Sequence, residues 1–98
     1  MYIGFEQEDV SNAVKTSADL NIPPKATHAE LQAGANPIAY TMDNATNPTT
    51  SLGMILPAAS TANPPRLVLI EDLKRIRFIR FGANDTTLNI HYIAGRDI

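Results

Sequence analysis

Few side chains in this sequence could do chemistry. His28 and His91 are the only histidines, and Glu30 follows the first of them by two positions. Two imidazoles and a carboxylate can hold a divalent metal when the strands carrying them are neighbours, and catalysis would need a positioned nucleophile as well. The spacing supplies neither set, so both histidines read as surface residues. Asp43, Asn44, Thr46 and Asn47 gather oxygens within one segment. They lack the Asp-x-Asp-x-Asn-Gly order of a calcium loop, and side-chain-to-backbone turns account for them equally well. The five glycines are scattered, which leaves no phosphate-cradling loop. Lys74, Arg75, Arg77 and Arg80 form a basic run with Phe78 and Phe81 interleaved. Such a run can track nucleic acid, but the whole chain has a net charge of -2 and Phe78 has a core position. The basic residues read instead as a patch that meets a protein. No catalytic residue, metal or cofactor is expected, and the chain reads as a non-enzyme.

The charge is unevenly distributed. Residues 1–49 carry six acids (Glu6, Glu8, Asp9, Asp19, Glu30, Asp43) and two lysines, Lys15 and Lys25. Residues 50–98 carry four acids (Glu71, Asp72, Asp85, Asp97) and six bases (Arg66, Lys74, Arg75, Arg77, Arg80, Arg96). Halves of opposite bias could match a second copy or an acidic neighbour, and ordinary solvated faces would look the same. A chain of 98 residues makes one domain with one shared core. With no cysteine, neither disulfides nor a thiolate zinc site can reinforce that core. No apolar run approaches the ~20 residues that cross a bilayer, and the N-terminal residues lack the pattern of a signal peptide. The expectation is a soluble protein made in the cytoplasm. Asn44-Ala45-Thr46 and Asn84-Asp85-Thr86 match the glycosylation triplet but read as turns.

The elements that must position these residues are strands. Tyr2, Ile3 and Phe5 form an apolar β-prone cluster, either a first strand or an arm that docks on another subunit. From Ser11 to Leu20 a short helix capped by Ser11 and an extended segment are both open. Pro23-Pro24 ends whatever precedes it. Apolar and polar residues then alternate over Thr27–Ala33 and Ile38–Met42, the period of two that a half-buried strand requires. Gly34-Ala35-Asn36-Pro37 between them predicts a turn joining antiparallel neighbours. Further strands are expected at Gly53–Leu56, Arg66–Ile70, Leu73–Arg80 and Thr87–Ile93, separated by loops rich in Asn, Thr, Pro and Gly. The second of these is apolar on both faces.

This pattern predicts an all-β fold, a small antiparallel β-sandwich or jelly-roll-like barrel of about six to eight strands. Residues 1–21 would be the arm or first strands and 22–98 the sandwich domain. The expected core is Ala29, Leu31, Ile38, Tyr40, Met54, Leu56, Leu67, Leu69, Ile76, Phe78, Leu88, Ile90 and Tyr92.

The series I-P-P-K-A-T-H-A-E-L-Q-A, I-A-Y-T-M-D, N-P-T-T-S-L-G-M-I-L-P-A, L-K-R-I-R-F-I and L-N-I-H-Y, running in order from Ile22 to Tyr92, resembles a family of small proteins encoded among the virion structural genes of tailed bacteriophages. Met1–Leu20 is the part least like it. The matching residues are structural, with turns at Pro48 and Gly53 and core at Leu31, Met54, Ile76 and Tyr92. The resemblance implies a capsid decoration or cement protein on the virion surface, bound to the major capsid protein or other virion subunits. Homo-oligomers, trimers among them, fit that role, with no nucleic acid or membrane as partner. A tail, neck or fibre location stays open. The candidate contacts are Tyr2, Ile3, Phe5, Lys74, Arg75, Arg77 and Arg80. A carbohydrate- or receptor-binding module is the alternative, disfavoured here because the chain has no Trp and most Tyr and Phe are assigned inside.

Overall fold

The computed structural model describes residues 1–95. Within them the chain forms eight strands: β1 (Tyr2–Val10), β2 (Lys15–Thr16), β3 (His28–Ala33), β4 (Ile38–Thr41), β5 (Met54–Leu56), β6 (Arg66–Leu69), β7 (Arg77–Arg80) and β8 (Thr86–Ile93). One turn of 3-10 helix, Ser17–Asp19, follows β2, and one α-helical turn, Ile70–Leu73, follows β6. The strands make two four-stranded sheets of order β1-β8-β3-β6 and β2-β7-β4-β5. All the pairings are antiparallel.

This order has a simple origin. β1 pairs β8, β2 pairs β7, β3 pairs β6 and β4 pairs β5, so the chain is one long antiparallel ribbon whose tip is the loop before β5. Rolling the ribbon adds the β3–β8 and β4–β7 pairings and closes two sheets over a single core. That is a jelly roll, the more specific of the two expected architectures. Residues 1–21 supply one strand to each sheet. The sandwich domain expected to run to residue 98 is described here as far as Gly95.

The core gathers Val10, Leu20, Ala29, Leu31, Ala33, Ile38, Tyr40, Leu56, Val68, Ile70, Leu73, Ile76, Phe78, Leu88, Ile90 and Tyr92. Three expected members are not there. Met54 is 63% exposed, Leu67 53% and Leu69 52%. Strand β6 turns Val68 inward and both leucines outward, and Ile70 enters the core as the start of the α-helical turn rather than as the end of a strand. Leu73, expected to begin a strand, closes that turn and is fully buried, so β7 is only four residues long. Ile79 and Ile93, expected to face outward, are buried.

Gly34–Pro37 does not join neighbours in one sheet. It carries the chain across the sandwich from β3 to β4. The crossing is tight: the Gly34 amide donates to the Thr87 carbonyl at 2.9 Å, and a Cβ on Gly34 would stand 2.5 Å from the Thr87 hydroxyl. The Asn36 amide and carbonyl both bond the Thr86 hydroxyl, at 3.2 and 2.8 Å, which ties the corner to β8.

Residues Tyr2–Phe5 form a strand, not a free arm, bound to Ile93, Tyr92 and His91 with a bulge between Tyr2 and Gly4. The acids that follow have inward roles at the rim. Glu6 accepts from the Tyr92 hydroxyl at 2.8 Å and from the Asn21 amide at 2.9 Å, and Glu8 pairs with Lys15 at 2.7 Å.

The facing of the strands is testable by mutation. Leu31→Asp or Phe78→Asp places a carboxylate in a dry core and costs about 4 kcal/mol or more, enough to unfold much of the protein. Leu69→Ser costs about 1 kcal/mol or less, because the side chain is half exposed. Chemical denaturation followed by circular dichroism reads both, and equal losses at Phe78 and Leu69 would refute the assigned face of β6. Deleting Met1–Phe5 strips β8 of three partners and lowers Tm by about 10 °C; an unchanged melting curve would show that the first half of β1 adds nothing to the fold.

Candidate functional site

The two outer faces of the sandwich differ. On the sheet that contains β7, Ala39 and Ile79 lie opposite each other on the outer side yet are 0% and 5% exposed. In the segment between β4 and β5, Pro48 is fully buried as well. Arg77 holds that segment down. Its guanidinium donates to the carbonyls of Ala45 and Asn44 at 2.9 and 3.0 Å and to the Asn47 side chain at 2.8 Å. Asp43 shapes the same loop by accepting from the Thr46 hydroxyl and amide and from the Ala45 amide, at 2.6, 2.9 and 3.0 Å. Asn44 takes the left-handed conformation at φ 58°, a turn position that Asn tolerates. Both Asp43 oxygens are therefore occupied within the loop, and the oxygen-rich segment is a capped turn.

The outer face of the β1-β8-β3-β6 sheet is open. Alternation brings Phe5 and Gln7 of β1, His91 and Asn89 of β8, and Glu30 and Gln32 of β3 to that side. Register sets them in rows: Phe5 beside His91 beside Glu30 beside Leu67, and Gln7 beside Asn89 beside Gln32. Tyr2 lies across the strands, its ring stacked on His91 with centroids 4.0 Å apart and its hydroxyl donating to Glu30 Oε1 at 2.6 Å. That bond to a carboxylate raises the Tyr2 phenol above its usual range, with the nearby negative charge acting in the same direction. Phe5 meets His91 edge-on at 5.9 Å. Gln7 donates to Asn89 Oδ1 at 2.8 Å. Phe5, Glu30, Gln32, Pro65, Asn89 and His91 enclose a shallow hollow of about 120 Å³.

The expected contact residues are dispersed by this arrangement. Tyr2 and Phe5 are 56% and 63% exposed on the open face, while Ile3 packs against the core. Lys74 and Arg75 are exposed beside the α-helical turn, with Lys74 3.5 Å from Glu71. Arg77 and Arg80 are engaged within the chain, Arg80 with Asp85. Of the four basic residues, Lys74 and Arg75 are exposed while Arg77 and Arg80 are held by partners within the chain. His28 and His91 stand diagonally on neighbouring strands, since Glu30, not His28, lies opposite His91. His28 Nδ1 lies 3.0 Å from the Thr27 hydroxyl, and among the described residues no three His, Cys, Asp or Glu side chains converge as metal ligands.

Glu30, Gln32, Asn89 and Pro65 are the members of the open face that the sequence did not single out as a set. Their common signal was the outward phase of two alternating strands, which names the residues but not which strands lie side by side. No protein-family profile, curated protein or solved structure matches this chain.

The loop clamped by Arg77 carries a pH signature. Hydrogen bonds from the Thr46 hydroxyl, the Thr46 amide and the Ala45 amide lower the Asp43 carboxyl to about 2. A depressed carboxylate stabilises the fold above its unfolded value near 4, and that contribution is lost as pH falls through about 2. Tm measured between pH 5 and pH 2 should therefore fall less steeply for Asp43→Asn than for the parent, and parallel profiles would count against this role of Asp43.

Proposed function

We propose that this chain is a structural protein of a tailed-bacteriophage virion, a decoration protein that binds the major capsid lattice and stabilises the head. The reading begins from the sequence resemblance and is supported by what the fold offers. The observation that carries it is the open side of the sandwich. Strands β5 and β6 each pair with a single neighbour, β4 and β3, and Met54, Ile55, Leu67 and Leu69 stand more than half exposed on them. Edge strands are ordinarily guarded by charge or covered by a loop, because unpaired amides and carbonyls invite association. Here the exposed positions are apolar, with Arg66 the one charge on β6.

A cement protein acts by contact area. It binds the assembled state and not the dissociated one, so it shifts the equilibrium toward the particle. A specific contact needs to bury roughly 1,000 Å² or more in total, which two short edges with their flanking loops can supply in a module of this size. Copies arranged around a symmetry axis, as in a trimer, would repeat that contact. No step of this function requires a reacting group.

Cryo-electron microscopy of intact particles tests the reading. Density matching this jelly roll on the outer surface of the head is the expected result. Density at the tail, neck or a fibre would keep the virion role and reject the decoration site; particles lacking the protein would overturn the reading. The paired variant Ile55→Asp with Leu69→Asp should keep Tm within about 5 °C while losing attachment to the head, since both side chains are half exposed in the free chain.

A further inference from the structure

We propose that the hollow on the open face of the β1-β8-β3-β6 sheet binds one neutral pyranose ring of a glycan. The inference stands without the virion reading, because none of the residues lining the hollow is among the exposed β5 and β6 residues on which that reading rests. The sheet geometry gives the hollow its dimensions. Phe5 on β1 forms one wall and Pro65, just before β6, forms the other. Three interstrand spacings separate those strands, about 14 Å. The floor between them is made by Asn89 and His91 of β8 and by Glu30 and Gln32 of β3.

The chemistry of the walls and floor differs in the way a sugar ring requires. A pyranose has an apolar C–H face and a rim of hydroxyls, each both donor and acceptor. Phe5, 63% exposed, presents an apolar ring at the side of the hollow without having to be uncovered first. The floor supplies polar groups of both kinds. Tyr2 takes Glu30 Oε1 and leaves Oε2 as an acceptor. Gln7 takes Asn89 Oδ1 and leaves the Nδ2 donors. Gln32 offers a donor and an acceptor, and His91 offers ring nitrogens.

These groups are held before any ligand arrives. Glu30 is fixed by Tyr2, His91 is fixed between the stacked Tyr2 ring and the edge-on Phe5 ring, and Asn89 is fixed by Gln7. All the floor residues stand on hydrogen-bonded strands rather than on loops, so little conformational entropy is lost on binding. The small volume, about 120 Å³, suits one ring and not an extended oligosaccharide buried along its length. Charge sets the class of sugar. Glu30 is the one carboxylate among the lining residues and no Lys or Arg is among them, so sialic acids, uronic acids and sulfated sugars would meet repulsion with no cation to answer it.

The expected affinity for a single ring is weak, with Kd of about 1–10 mM, because a shallow site leaves much of the ligand in water. Several copies held together would raise it through multivalency. The test is an amide chemical-shift titration of the folded chain with the methyl glycosides of glucose, galactose, mannose and N-acetylglucosamine, with N-acetylneuraminic acid as the anionic comparator. At least one neutral glycoside should saturate shifts centred on Phe5, Glu30, Gln32, Asn89 and His91, and N-acetylneuraminic acid should not. Phe5→Ala and Gln32→Ala should each weaken the response at least tenfold while Tm stays near that of the parent. The proposal is overturned if no neutral glycoside shifts these amides, if the acidic sugar binds as well, or if Phe5→Ala leaves the affinity unchanged. Shifts at the same amides on simple dilution, indifferent to sugar, would instead make this face a contact between copies and would equally overturn it.

Discussion

The register of β8 is the constraint on which the rest of this molecule depends. Thr86–Ile93 is hydrogen-bonded along both edges, to β1 on one side and β3 on the other. It turns Leu88, Ile90 and Tyr92 into the core and Asn89 and His91 to the open face. A slip of one residue against either neighbour would exchange those sets, burying an amide and an imidazole while exposing three of the best-buried side chains. The same strand fixes the ends of the roll. The Thr86 hydroxyl pins the β3–β4 corner, and Met1 brackets Ala94 with two backbone bonds, its amine donating at 3.0 Å and its carbonyl accepting at 2.8 Å. Core and candidate site are therefore two consequences of one set of backbone bonds.

The strands legible in the sequence were those whose two sides meet different surroundings. In β3, Ala29 and Leu31 are buried while His28, Glu30 and Gln32 are not, and the alternation of residue types says so directly. In β6 it could not. Leu67, Val68, Leu69 and Ile70 are all apolar, so composition gave no phase, and only the pairing of Ala29 with Val68 across the sheet decides which face is inward. Met54 was misplaced although it has the phase of Leu56: it begins the edge strand β5 and is exposed, whereas Leu56, two residues on, is buried. The Gly34–Pro37 corner has the residues of a hairpin turn, and a chain that crosses between sheets needs the same residues. Local turn chemistry fixes that the chain bends, whereas long-range pairing fixes where it goes.

The candidate site was less legible than the fold because it is assembled from residues far apart in the chain. Phe5, Glu30, Pro65 and His91 come from β1, β3, the approach to β6, and β8. No spacing in the sequence links them. The basic run showed four nearby charges but not which of them have partners within the chain, as Arg77 and Arg80 do. Arg77 is the clearest case. Five donors in a planar fork suit it to holding several carbonyls at once, and it ties the Asn44–Asn47 loop to β7.

The two outer faces therefore differ in what they offer for recognition. On one sheet, Ala39 and Ile79 of the outer face are buried while Ile55 beside them is half exposed. The other keeps an open face with fixed polar groups, and its edge strand β6 carries the exposed Leu67 and Leu69 beside this face. The two uses need not compete. A contact made through the β5 and β6 edges leaves Phe5 on β1, three strands and about 14 Å away across the sheet. Leu67 is the point where they approach, since it lies opposite Glu30 in register while belonging to the apolar edge. Burying Leu67 against a neighbouring subunit would remove solvent from one side of the Glu30 carboxylate and strengthen its hydrogen bonds by lowering the local dielectric. Assembly through the edge would then tune the open face by way of a single cross-strand pair.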